Sequence, residues 1–206
     1  MGNTVIKTEF IFDFGSPNAY LSHLVLGNIE DRTGVTFEYI PILLGGVFKL
    51  TNNVSPAVAL KGIKNKAEYR QLETDRFIER HKITDFKLNP FFPVNTLRLM
   101  RGAVFAKNTT FFKQYVSSIF KYMWVEPKKM DDLEVLREVL MDTDLPADEI
   151  LQAIENDVVK ENLFSNTEAA VERGVFGAPT FFVDDALFFG KDKLPDVEEE
   201  ILYKLS

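Results

Sequence analysis

The chain has no cysteine among its 206 residues. It therefore cannot exchange thiols and disulfides with a sulfur of its own, cannot be stapled by disulfide bonds, and offers no thiolate to a metal. Histidine is nearly as scarce. His23 and His81 are the only two, on separate expected helices and at no ligand spacing, so no metal site is expected. No run approaches the ~20 consecutive apolar residues of a membrane span. The opening Met1-Gly2-Asn3-Thr4 lacks the basic stretch, apolar run and small-residue cleavage site of a secretory leader. Gly2 superficially suits myristoylation, but the residues after it do not complete that motif. These absences read as a cytoplasmic protein without a membrane partner. There is no excess of positive charge either: the net charge is −7 and the pI about 5.0. That balance argues against nucleic acid or an anionic membrane as partner, while allowing a local basic site for a small anion. A phosphate-cradling loop, a dinucleotide fingerprint and a Gly-x-Ser-x-Gly elbow are all missing.

What is present belongs to a globular α/β protein. Hydrophobic residues make up 46% and charged residues 27%, and the 19 phenylalanines imply a large aromatic core with room for an apolar pocket. Thr8 to Phe14 and Thr36 to Ile42 read as strands, β-branched and aromatic, with a helix between them that ends near Gly34. Strand, helix and strand at this spacing predict a parallel pair. From about Leu43 to Asn162 the periodicity is helical. Leu97, Met100, Val104 and Phe105 share one face; Phe112, Tyr115, Val116, Ile119 and Met123 a second; Leu133, Leu136 and Leu140 a third. Asn89 to Pro93, Pro127, and Asp142 to Pro146 punctuate them. Ser165-Asn166-Thr167-Glu168 has the form of a capping box, predicting a short helix from there to Gly174. Thr180–Val183 and Ala186–Phe189, across Asp184-Asp185, predict a hairpin, and a closing helix is expected from about Asp192 to Lys204. The ends are α/β and the middle is all-helical. That order predicts a thioredoxin-like domain made of residues 1–42 and 163–206, with a helical domain, 43–162, inserted after the second strand.

Ser16 is the most informative side chain. The apolar run through Phe12 stops at Asp13-Phe14-Gly15-Ser16-Pro17, and an amphipathic helix follows. Ser16 thus stands at a helix N-terminus, where N–H groups and the helix dipole favour an anion; an ordinary capping serine is the alternative. Thioredoxin-like redox proteins carry a reactive cysteine at this corner and a second one three residues on. Here the two positions are Ser16 and Ala19. A thiolate stabilised at this corner must arrive on a ligand. Ala178-Pro179 precedes a predicted strand, where such folds place a cis proline facing the corner; a trans proline at a strand start is the plain alternative. Asp13 reads as a buried acid beneath the corner, either tuning it or making a structural hydrogen bond.

Six fragments in order carry a resemblance to a known family. They are Asp13-Phe14-Gly15-Ser16-Pro17, Pro41 to Lys49 followed by Asn53, Phe92-Pro93-Val94-Asn95-Thr96-Leu97-Arg98, Trp124-Val125-Glu126, Gly174 to Phe181, and Phe189 to Leu194. Together they resemble the 2-hydroxychromene-2-carboxylate isomerases, relatives of kappa-class glutathione transferases and of bacterial disulfide oxidoreductases. The resemblance implies glutathione as cofactor, with its sulfur beside the Ser16 hydroxyl as the catalytic contact. Asn53, Ala178 and Pro179 would hold the tripeptide, Lys66 (or its competitor Lys61) a glutathione carboxylate, and Asp192 the γ-glutamyl ammonium. Lys191 departs from the small polar residue found there in relatives. Glu73 stands where kappa relatives offer an acid to a partner subunit. Asn95 and Lys49 are the implied substrate contacts, walled by Phe48, Phe91 and Phe92; Asn95 is equally suited to capping the helix at Leu97. The implied activity opens a small aromatic-derived substrate and isomerises it through a transient glutathione adduct. A kappa-type transferase that releases the conjugate, and a non-catalytic thiol-peptide binder, are the alternatives. A homodimer is also implied.

Overall fold

Alternation along the first strand sets the architecture. β1 (Thr8–Phe12) is buried along its whole length. Phe10 and Phe12 lie in one apolar cluster and Ile11 in another, as the period of two requires for a strand covered on both faces. The computed structural model describes residues 6–206, without the side chain of Ala57; the amino-terminal reading at Gly2 lies outside them. β1 pairs in parallel with β2 (Phe37–Pro41) and antiparallel with β3 (Thr180–Val183). β3 forms the expected hairpin with β4 (Ala186–Phe189), giving the order β2-β1-β3-β4. Asp184 takes φ of 52° at its turn, a conformation that aspartate tolerates better than most residues. The first helix, α1 (Pro17–Thr33), ends on Gly34 at φ 75°, whose N–H reaches Glu30 O. Only a residue without a Cβ adopts that cap freely.

The insertion consists of α2 (Leu44–Leu50), α3 (Pro56–Ala59), α4 (Lys66–His81), α5 (Leu97–Ala106), α6 (Phe112–Trp124), α7 (Leu133–Asp142) and α8 (Ala147–Ala153), returning to the sheet through α9 (Asp157–Glu172). A 3-10 turn at Lys191–Lys193 leads into the closing helix α10 (Leu194–Leu205). The thioredoxin-like order with a helical insertion after the second strand is thus present. One apolar cluster joins Phe10 and Phe12 of β1 to Met100 of α5, Tyr115, Phe120 and Trp124 of α6, and Leu136 of α7. The insertion therefore shares the core of the sheet.

Three boundaries differ from expectation. β1 stops at Phe12 instead of Phe14, because Phe14 leaves the sheet: its N–H points at Met100 Sδ and its carbonyl accepts from Trp124 Nε1 at 2.9 Å. β2 likewise ends at Pro41, one residue early. The larger correction concerns Ser165. No helix starts there. α9 begins at Asp157, capped by Asn156 Oδ1 on the Val158 N–H, and runs unbroken across positions 162 and 163. Burial of Val159, Leu163, Thr167 and Ala170 on one face carries the helix through a local capping signal. Among the described residues no helix is long and apolar enough to cross a membrane.

Candidate functional site

The corner after β1 is fixed by its acid. Asp13 is buried, and its carboxylate accepts from Gly15 N–H at 2.8 Å and Leu44 N–H at 2.7 Å. The Thr96 side chain lies beside it and helps to hold its pKa down. Burial raises the Asp13 pKa, and these donors oppose the rise. Asp13 thereby ties the corner to the start of α2, making the structural hydrogen bonds that are one of the two readings of it. Gly15 fits closely: a Cβ there would sit 3.2 Å from Thr96 Cγ2 and 3.3 Å from Asp13 Oδ1, so these side chains would have to give by a few tenths of an ångström.

Ser16 caps α1 as its sequence position allows. Its Oγ accepts from the Ala19 N–H at 3.2 Å and donates to the Ala178 carbonyl at 2.9 Å. Residue 16 is 5% exposed. The Ala178-Pro179 bond is cis, as the fold-based expectation required. The serine hydroxyl and the residue before this proline are therefore in direct contact across 162 positions of sequence. Pro17 supplies no N–H, and those of Ala19 and Tyr20 turn back to Ser16. What the corner offers an anion is the hydroxyl proton, the Asn18 N–H at the second helical position and the helix dipole. One proton serves one acceptor, so donating to a sulfur requires the O–H to turn away from Ala178.

The other expected residues are placed unevenly around this corner. Asn53 is exposed; its Nδ2 donates to Phe176 O at 3.0 Å and its Oδ1 accepts from Val54 N–H. That contact brings it to the segment leading into Pro179. Lys66 opens α4, and both it and Lys61 are exposed; among the described residues neither forms a hydrogen bond or ion pair with the corner. Glu73 is half-buried further along α4, and Lys49 is exposed on α2. Asn95 accepts from the Leu97 N–H at 3.0 Å, so it does cap the turn into α5 while remaining exposed. Phe91 and Phe92 keep 48% and 38% of their surface, and Phe92 lies beside Trp124. Asp192 is exposed, but both of its carboxylate oxygens are taken by Lys191 Nζ, at 2.7 and 2.8 Å. Lys191 itself is 2% exposed, its ammonium 5.1 Å from the Phe77 ring centroid.

Comparison with known proteins decides the family. A family model described as a DSBA-like thioredoxin domain matches residues 7–202. The chain belongs to the DSBA-like thioredoxin family. It is similar to the 2-hydroxychromene-2-carboxylate isomerase of Sphingobium xenophagum, 25% identical over 197 residues that cover 94% of this chain and 97% of the relative. It is also similar to glutathione S-transferase kappa 1 of Rattus norvegicus, 24% identical over 94% of this chain and 90% of that one. Among solved structures, a 2-hydroxychromene-2-carboxylate isomerase aligns with a TM-score of 0.81 at 27% identity, covering 96% of this chain and 95% of the other.

For a DSBA-like protein without cysteine, the surroundings of the corner carry most of the information. Sequence reading missed a cavity of about 330 Å³ lined by Asn95, Leu97, Arg98, Arg101, Asp131 and Glu155. It lies on the Arg98 and Arg101 face of α5, whereas Thr96 and Met100 of the same helix face Gly15 and Phe14. The signal available was Arg98 and Arg101, two cations one turn apart at the head of an apolar helix. Sequence reading also missed that Lys191 would be buried and paired with Asp192. Among the described residues no group of three His, Asp or Glu side chains could hold a metal.

Proposed function

We propose that this protein is a glutathione-dependent isomerase that acts, in a cytoplasmic setting, on 2-hydroxychromene-2-carboxylate or a similar aromatic-derived unsaturated keto acid. The observation that carries the reading is the Ser16 hydroxyl, at the head of α1 and 2.9 Å from the Ala178 carbonyl beside cis Pro179, in a chain with no sulfur nucleophile. The donor set fits a thiol peptide at its sulfur end: a rotatable O–H, a helix terminus and an extended backbone segment next to them. When bound, glutathione supplies the nucleophilic sulfur that the chain lacks and is returned unchanged. Ser16 then turns its proton toward that sulfur and holds it ionised, while the Ala19 N–H keeps Oγ in place. Ala178 and Pro179 align the peptide backbone, with Asn53 alongside. Asn95 and Lys49 stand as contacts for the organic substrate. Lys66, or Lys61, would meet a peptide carboxylate, a role that rests on the family resemblance. A second copy of the chain suits the apolar side chains that α3 and α4 leave exposed, among them Val58, Tyr69 and Leu72.

The test is incubation of the purified protein with the chromene carboxylate, with and without glutathione. Isomerisation that needs glutathione and consumes none is expected. Turnover without any thiol would refute the reading. The kappa relative favours a second reading, in which the same corner delivers sulfur to an electrophile and releases the conjugate. Stoichiometric loss of thiol with chlorodinitrobenzene, and none of the isomerised product, would establish that one. Binding of thiol peptides with neither reaction would leave a non-catalytic binder.

The Lys191–Asp192 pair gives a separate expectation. Asp192 would receive the γ-glutamyl ammonium, yet an internal ammonium already occupies both its oxygens. Lys191→Met removes that competitor. Glutathione should bind about 5-fold tighter, the worth of about 1 kcal/mol for an ion pair with one buried and one exposed partner. An analogue without the γ-glutamyl amino group should bind the two proteins equally in calorimetric titration. Weaker glutathione binding by the variant would show that Lys191 holds the ligand instead.

A further inference from the structure

The turn that ends in Ser16 is held at its centre by a residue of the inserted helices. The Ser16 N–H donates to the Asp13 carbonyl at 3.0 Å, which makes Asp13 to Ser16 a β-turn with Phe14 and Gly15 in the middle. The orientation of the peptide between those two residues separates a type I turn from a type II turn. Type II needs a positive φ at the third residue, and glycine supplies it without a steric cost. Gly15 stands at that position, yet its φ lies outside the left-handed region. The residues permit both turns, and the structure holds one.

Both ends of the central peptide are gripped. The Gly15 N–H donates to Asp13 Oδ1 at 2.8 Å, and the Phe14 carbonyl accepts from Trp124 Nε1 at 2.9 Å. Phe14 is fully buried, and among the described residues no other hydrogen bond reaches its carbonyl. Trp124 is fully buried too, and its N–H is the one polar group of its side chain. Turning the peptide over would orphan donor and acceptor together, and would aim the Phe14 carbonyl toward the Asp13 carboxylate. Trp124 is itself fixed. Its own carbonyl accepts from the Lys87 N–H at 2.7 Å, and its ring centroid lies 6.2 Å from that of Phe86 and 6.2 Å from that of Phe92.

We propose that Trp124 is a positioning residue for the candidate site: its indole N–H locks the Asp13–Ser16 turn in one form and so fixes the direction of the Ser16 hydroxyl. Functional groups work only when held within about 0.5 Å of their productive place, and Ser16 is the residue that closes this turn. The proposal deepens the isomerase reading by naming what aims its hydroxyl. It rests on that reading for the effect on the thiol, and not for the lock.

Two replacements test it. Benzothienylalanine in place of Trp124 keeps the shape of the bicycle and removes only the N–H; Trp124→Phe removes the N–H together with one ring. Nuclear magnetic resonance of protein isotope-labelled at glycine reads the turn with no ligand present. Wild type should give one Gly15 amide signal, protected from exchange with solvent. Loss of a buried hydrogen bond shifts such an equilibrium by about 5-fold, so both replacements should show a second Gly15 signal or exchange broadening. Phe86→Leu loosens the same ring stack and keeps the N–H, so it should melt lower and retain the single signal. With glutathione bound, the thiol pKa should rise by roughly 0.5 unit in both replacements and stay in place in Phe86→Leu. A single protected Gly15 signal in the benzothienyl protein would overturn the proposal. So would an unmoved thiol pKa in a protein whose Gly15 signal has doubled. Wild-type protein that binds no glutathione would remove the sulfur reading alone, and the Gly15 signals would still decide the lock.

Discussion

Replacing Ser16 with alanine should raise the thiol pKa of bound glutathione by about 1 unit and cut turnover at pH 7 by roughly 5-fold. A model thiol has a pKa of about 8.5, and a corner that lowers it by ~1.5 units leaves about half the sulfur ionised at pH 7. That stabilisation is worth about 2 kcal/mol. The geometry divides it into two parts. The hydroxyl, turned from Ala178 to the sulfur, makes a charge-assisted hydrogen bond, and the head of α1 adds its dipole. Alanine removes the first and keeps the second. The thiolate fraction at pH 7 then falls from about one-half to roughly one-tenth. Difference absorbance in the thiolate band, followed against pH, reads this directly. The variant should recover activity as pH rises, because alkali ionises what the hydroxyl no longer does. It should also melt a few degrees lower, since Ser16 Oγ caps the Ala19 N–H and a lost cap costs about 1 kcal/mol. An unchanged thiol pKa alongside that lower melting point would reduce Ser16 to a cap.

This corner was legible in the sequence because its rules are local. An apolar run, a Gly-Ser-Pro break and an amphipathic helix need no distant partner, and the same holds for the Gly34 cap and the β3–β4 hairpin. The cis bond at Pro179 was different. Its own neighbours favour trans, and only the corner at the other end of the chain, together with the family resemblance, reversed that. Failures came where distant residues outvote near ones. Ser165-x-x-Glu168 satisfies the capping pattern, yet Val159 and Leu163 find buried places that hold the preceding turns helical. Phe14 reads as strand, yet Trp124, 110 positions on, claims its carbonyl. The cavity is the extreme case. Its walls come from α5, the approach to α7 and the turn after α8, and no spacing rule joins Arg101 to Asp131 or Glu155. Lys191 shows the opposite hazard: a lysine is ordinarily read as solvated, but Asp192 and the Phe77 ring let it be buried.

Acid should weaken the fold through His23, by about 2 kcal/mol between pH 6.5 and pH 5. His23 lies on α1 with its ring stacked 5.1 Å from Phe120 and its Nδ1 2.8 Å from the Tyr39 hydroxyl. Burial pushes the Tyr39 pKa up, so that hydroxyl keeps its proton, and the direction of its hydrogen bond with Nδ1 follows the histidine tautomer. A second ring proton would have to enter this aromatic enclosure, and burial lowers the His23 pKa from 6.5 to about 4. The unfolded chain accepts that proton near pH 6.5 and the folded chain does not until about pH 4. Between those values the unfolded state binds more protons, so stability falls as the pH falls, by about 1.4 kcal/mol per unit. His81, also lowered by burial and by Arg80 and Arg32, acts in the same direction. Asp13, raised by burial, acts in the opposite one, because protonation favours the folded form. Glu9, held down by Arg173 and Lys7 against its burial, loses its contribution only below 4.5. The decisive quantity is therefore a difference. Denaturant titrations of wild type and His23→Gln, whose amide can donate to or accept from the Tyr39 hydroxyl, should diverge in slope between pH 6.5 and pH 5. The variant should be the flatter of the two. Parallel stability curves would mean that His23 takes its proton in the folded protein as readily as in the unfolded chain, and that the enclosure formed by Tyr39 and Phe120 admits water.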